Sequence, residues 1–212
     1  MSEKKPISYW EEIKRKGVHL SSLWMVAATL LLGERQWISC LIFGALLLLT
    51  LVSEHDYANN GKYLGRLYGK LFGKMLRDDV KPGQWIVSGG APVLAAALLM
   101  NLLFTPLIAA GAMSVMLTGD AAAALIGRKF GKHKAVNGKS WEGFISFILV
   151  GYGALSVVFL LKSVPAKFYL WGIAAVVLAA LAELFQKQLK VDDNFSIPLC
   201  VGAVLFFSSF LV

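Results

Sequence analysis

The chain has 212 residues, 57% of them hydrophobic and 16% charged, with mean hydropathy +0.65 and a net charge of +8. Apolar runs of roughly fifteen to twenty residues recur along its whole length, which leaves no room for a separate soluble domain and predicts an all-α, polytopic integral membrane protein, one membrane-embedded domain over residues 1–212. In such a chain the basic excess marks one side of the membrane and does not argue for nucleic acid. Cys40 and Cys200 both lie within apolar runs, where free thiols are expected and a disulfide is not.

After Lys4, Lys5 and Pro6, an amphipathic run over 9–16 leads into a first apolar span at 18–32. No small-residue cleavage site follows it, so it is expected to stay as an anchor. If the helix is continuous, Arg15, His19 and Ser22 share one face at i, i+4 and i+7. Lys14, Arg15 and Lys16 admit two readings, a positive-inside flank or part of a site; His19, one turn inside the apolar run, is not required by a flank. The second span is 37–52, with Trp37 at its rim. In the polar stretch 53–83, Gly61, Gly65, Gly69 and Gly73 recur every fourth residue, each followed by a cation. An interfacial helix and a partly irregular loop both fit that pattern, since glycine costs about 1 kcal/mol against alanine in a helix. A third span at 84–103 is loosened by Gly89, Gly90 and Pro92; a fourth is 106–126, a fifth 144–161, a sixth 168–185 and a seventh 195–212.

About seven spans put the loops alternately on two sides, and 18 of the 21 Lys and Arg fall on one of them. The positive-inside rule then predicts a cytoplasmic N-terminus. On the same side lies the most unusual stretch, TGDAAAALIGRKFGKHKAVNGKSWEGF over 118–144. Its acid, Asp120, is six residues short of the end of its apolar run, about 9 Å inside the boundary at 1.5 Å per residue. Glu183 lies near the same boundary, and Asp192, Asp193 and Asn194 follow. His19, Arg15, Asp120, Lys132, Lys139, Glu183 and Asp193 are therefore expected to converge. Carboxylates beside Lys and Arg suit a divalent cation and a polyphosphate. The alternatives are a helix-packing or proton-carrying role for Asp120 and an i,i+4 pair of Glu183 with Lys187. His133 and His55 are assigned no role. A Walker A loop is excluded: His133, not glycine, stands five residues before Gly138, and no strand precedes it.

KRKGVH, GDAAAALIGRKFGK with GKSWEG, and AELF with DDNFSIPL together resemble the polyprenol kinase family, which includes dolichol kinase, phytol kinase and CTP-dependent diacylglycerol kinases. The resemblance spans residues 14–199. The central block is shared more loosely with CDP-diacylglycerol synthases, and DDNFSIPL tilts the balance to the kinases. The resemblance implies a catalytic domain that transfers the γ-phosphoryl of CTP, with Mg²⁺, to a membrane lipid alcohol at the cytoplasmic face. It matches Lys14, Arg15, Lys16 and His19 to the family's first motif, Asp120, Arg128, Lys132, Lys139, Ser140 and Glu142 to the central one, and Glu183, Asp192, Asp193 and Asn194 to the last. Within these, Asp120 and Asp193 are expected on Mg²⁺, Lys132, Lys139 and Arg15 on phosphates, and Glu183 or Asp192 on the attacking hydroxyl. A phosphatidate cytidylyltransferase and a non-enzymatic carrier of anions are the alternatives.

Overall fold

A computed structural model describes residues 8–59, 61, 64–72 and 90–211, and its organising element is one helix, α6 (Pro106–Phe130). Proline at its first position supplies the preset φ of a helix start without giving up a needed N–H. Ala109, Ala112, Val115, Met116 and Leu117 are wholly buried, as expected of a helix that is apolar all round. The other helices surround it: α1 (Tyr9–Ser21), α2 (Leu23–Leu32), α5 (Gly90–Leu103), α7 (Trp141–Leu161), α8 (Ala166–Leu184) and α10 (Asp193–Ser208) all pack on α6. α3 (Gln36–Ala58) packs on α5, the short α4 (Leu64–Phe72) folds back on α3, and α9 (Gln186–Leu189) joins α8 to α10.

The described residues are helical apart from turns and one isolated bridge between Lys134 and Ser140, so the all-α expectation holds. Four helical stretches are long and apolar enough to cross a membrane: Tyr9–Ala58, α6, α7 and α8; α5 and α10 are shorter apolar helices. The first stretch is folded in two by a 3-10 turn at Gly33–Arg35, where Gly33 takes a φ of +46°. Leu31, Leu48, Leu149, Leu160 and Leu170 point outward with more than half their surface exposed. Apolar surface on this scale suits lipid.

Local chemistry sets the boundaries that matter to the site. Ser8 opens α1 with a capping box: its hydroxyl accepts from Glu11 N at 3.2 Å, and the Glu11 carboxylate accepts from Ser8 N at 2.7 Å. At Ser22 the α1 helix ends before α2 begins, so the continuous helix on which Arg15, His19 and Ser22 would share a face is interrupted there; the face turned to α6 carries Glu12, Lys16 and His19. α6 runs four residues past its apolar segment to Phe130, which carries Arg128 and Lys129 into a helical last turn. There α6 and α7 come so close that a Cβ on Gly143 would lie 2.9 Å from the Ala123 carbonyl oxygen and 3.3 Å from Gly127 Cα. Gly127 and Gly143 thus serve a helix crossing. In 53–83 the helical alternative holds across Leu64–Phe72, while Lys62, Gly73 and Lys74 lie outside the described residues, as do Lys4, Lys5 and residues 84–89 of the third expected span. The two cysteines are free.

Candidate active site

Asp120 points into the bundle from α6 with 8% of its surface exposed. From α1, Lys16 donates its ammonium to Asp120 Oδ2, and His19 Nε2 stands 3.3 Å from the same oxygen without an aligned hydrogen bond. Lys16 is itself 6% exposed. A buried pair of this kind gains little over apolar packing, yet removing one partner costs about 3–5 kcal/mol because the other is stranded.

A second pair comes from the α6–α7 connection. His133 O accepts from Trp141 N at 3.0 Å and Lys139 O accepts from Ala135 N at 2.8 Å, closing a tight hairpin whose tip places Asn137 at φ 61° and Gly138 at φ 78°. Asn and Gly are the residues that tolerate this left-handed region. The Asn137 amide donates to Leu184 O at 2.9 Å and to Gln188 Oε1 at 2.7 Å, and Gln188 Nε2 donates back at 3.1 Å. Strapped to the end of α8 in this way, the hairpin delivers the Lys139 ammonium to Glu183, to Oε1 at 2.6 Å and to the Glu183 carbonyl. Glu183 is 7% exposed, and its partner is Lys139, not Lys187.

The third contribution is the start of α10. Asp192 caps that helix, accepting from Asn194 N at 2.9 Å. Asp193 opens α10 within electrostatic reach of Asp120: burial pushes its carboxyl up to about 6, and the negative charges of Asp120 and Asp192 add to the push. Like charges that feel each other in this way disfavour joint ionisation, a cost that a cation nearby would relieve.

Of the residues expected to converge, His19 reaches Asp120 and Lys139 reaches Glu183, with Lys16 joining Asp120, while Arg15, Glu183 and Asp193 lie within electrostatic reach of Asp120. Lys14 and Lys132 are exposed. Ser140 caps α7 by accepting from Gly143 N at 3.1 Å. Glu142 binds His133, to the ring Nδ1 at 2.7 Å and the backbone N at 3.2 Å, so the histidine that the sequence left without a role staples the hairpin. Arg128 approaches Glu12 Oε2 at 3.6 Å, and Glu12, 1% exposed, also takes Arg15 at 2.6 Å. Glu12 escaped the sequence reading; the signal was its place one turn before Lys16, on the face that ends in His19. Among the described residues no three His, Cys, Asp or Glu side chains lie close enough to form a protein-only metal cage.

No family model matches the sequence, and no solved structure matches it. The chain is 27% identical over 197 residues to an uncharacterized protein of Rickettsia prowazekii (strain Madrid E), a match covering 92% of this chain and 94% of that protein. Over 109 residues it is 33% identical to the phytol kinase of Synechocystis sp. (strain ATCC 27184 / PCC 6803 / Kazusa). The named relative is a kinase. That match covers 50% of this chain and 46% of the phytol kinase, so it spans about half of each. A likeness to a kinase agrees with the resemblance read from the motifs, and the looser likeness to CDP-diacylglycerol synthases finds no support in these relatives.

Proposed function

We propose that the chain is a CTP-dependent lipid-alcohol kinase, a phosphotransferase that moves the γ-phosphoryl of CTP to the terminal hydroxyl of a membrane alcohol of the polyprenol, dolichol, phytol-like or diacylglycerol kind. The observation that carries this reading is the gathering of two buried carboxylates, Asp120 and Glu183, and the half-buried Asp193 with Lys16 and Lys139 at one end of a helix bundle with an apolar exterior. A transporter's titratable groups would be strung along a path, whereas these sit at one depth. The partial likeness to phytol kinase supports the same class.

Asp120 and Asp193 would hold Mg²⁺ as a pair, because that ion takes one or two carboxylates and completes its shell with water and phosphate oxygens. When bound, it would supply charge that offsets the triphosphate. Lys16, Lys139 and Arg15 take the remaining phosphate charge, and the exposed Lys132 reaches the nucleotide from the hairpin side. Glu183, or Asp192 at the rim, orients the alcohol and receives its proton. The alcohol oxygen bonds to the γ-phosphorus as the bond to the β,γ-bridging oxygen breaks, and CDP leaves. On the seven-span reading of the sequence, this end of the bundle and the N-terminus would face the cytoplasm, where CTP is found; the excess of cations on that side supports it.

Incubation of the protein with lipid alcohols, Mg²⁺ and CTP labelled at the α or γ phosphorus tests the reading. Label from γ-CTP appears in the lipid, α-label stays in soluble CDP, and no pyrophosphate forms. Lipid labelled from α-CTP makes the protein a cytidylyltransferase, a reading kept alive by the shared GRKFGK and KSWEG block; transfer from neither leaves a carrier.

A further inference from the structure

Glu12 is more deeply buried than any charged residue assigned above, and it touches none of the three acids of the site. Its two oxygens face two guanidiniums from different helices: Arg15 Nη2 of α1 at 2.6 Å from Oε1 and Arg128 Nη2 of α6 at 3.6 Å from Oε2. Both arginine side chains remain about half exposed, 51% and 41%, while the carboxylate beneath them is at 1%. A carboxylate so buried is tolerated because two cations offset its desolvation. Seen from the other side, two cations that repel each other are held together by an anion placed under them. Guanidiniums carry planar donor edges that match phosphate oxygens, and Arg15 precedes Lys16, which holds Asp120, and is within electrostatic reach of Asp120 and Asp193, so this doublet borders the site proposed for the triphosphate.

We propose that Glu12 is a positioning residue that holds Arg15 and Arg128 together as a two-guanidinium clamp for the phosphate chain of a nucleoside triphosphate. The inference rests on the kinase reading for the identity of the nucleotide, and on the geometry of these three side chains for the clamp itself. Glu12 acts through the arginines and does not touch the nucleotide, so its loss weakens binding more than it slows the transfer step.

The test uses the full chain in detergent, with inorganic tripolyphosphate and CTP as probes in equilibrium binding, beside the γ-label assay. Glu12→Gln keeps the side chain's size and removes its charge; affinity for both probes falls about 10- to 100-fold, the scale of one or two charge-assisted hydrogen bonds, KM for CTP rises in proportion, and kcat stays within a few-fold. Arg15→Lys with Arg128→Lys leaves Glu12 its two cations, so it folds even where Glu12→Gln does not, and it shows the same loss of affinity because the planar edges are gone. Adding Glu12→Gln to that double variant costs nothing further. Unchanged tripolyphosphate affinity in the Arg-to-Lys double variant, or losses that simply add in the triple variant, overturns the clamp and leaves the kinase reading standing. Tripolyphosphate binding that depends on Glu12 without any transfer of γ-label sinks the kinase reading and leaves the clamp; no tripolyphosphate binding by the native chain overturns both.

Discussion

The two ends of the helix bundle are both polar, but in different ways. At one end, where α2 turns into α3 and α5 into α6, polar contacts include those of neutral amides and an exposed ammonium: Gln36 Nε2 donates to the carbonyls of Asn101 and Phe104 at 2.8 and 2.7 Å, Asn101 Nδ2 to Thr29 at 3.2 Å, and Lys162 to the Leu30 carbonyl at 3.1 Å. Most of these donors serve carbonyls that helix termini leave open. At the other end Glu12, Lys16, Asp120 and Glu183 are ionisable and nearly devoid of solvent. Capping requires nothing of that kind, and burying ions is expensive. One end closes the bundle; the other carries charge that packing alone does not explain.

The comparison can be broken first by finding both ends on one side of the membrane, an all-or-none effect. Single cysteines at Lys134 and Lys190 are expected to react with an impermeant thiol reagent from the cytoplasmic side, and one at Lys167 only from the opposite side, each in a background without Cys40 and Cys200. Labelling of Lys134 and Lys167 positions from the same side would remove the seven-span arrangement.

Next in size is Asp120→Asn. The γ-label turnover falls by roughly 10³-fold or more if the carboxylate is a ligand to the cation and its phosphates. The structure adds a second consequence: Lys16 is left buried without its partner, so stability falls by about 3–5 kcal/mol. Combining Asp120→Asn with Lys16→Met replaces both charges and restores thermal stability in detergent, while turnover stays low. Restored turnover in the double variant would mean that Asp120 serves only to balance Lys16. Lys139→Ala comes third, with turnover down about 10²-fold and Glu183 left unpaired; activity within a factor of two would confine Lys139 to holding the hairpin on α8.

The sequence announced most of the charged end and little of its wiring. Asp120 stood out because an acid in an apolar run has few structural reasons to be there, and the side to which the loops belong was enough to bring Glu183 and Asp193 toward it. Which cation meets which acid depends on helix rotation. Arg15 and Lys16 are adjacent in the chain yet about 100° apart around α1, so the way α1 packs on α6 turns Lys16 to Asp120, while Arg15 pairs with Glu12 one turn back in its own helix. The glycines carried no readable signal of their role: Gly127 and Gly143 mark a helix crossing that only three-dimensional packing reveals. Asn137 was unreadable for a similar reason, since its partner Gln188 is 51 residues away.

The smallest effect is expected at the neutral end and is the most exacting for the comparison. Gln36→Ala removes two hydrogen bonds to helix-terminal carbonyls, one on Asn101 and one on Phe104. Each acceptor loses a neutral partner at a half-buried site, so stability falls by about 1–3 kcal/mol, visible as a lower unfolding temperature in detergent. No ionised group is stranded, and nothing in the Asp120 cluster touches this residue, so turnover per folded molecule stays within a factor of two of the native chain. If Gln36→Ala instead cut turnover tenfold with folding intact, the end that closes the bundle would also be setting the position of α6, and through it Asp120. The separation of scaffold from site along that helix would then have to be given up.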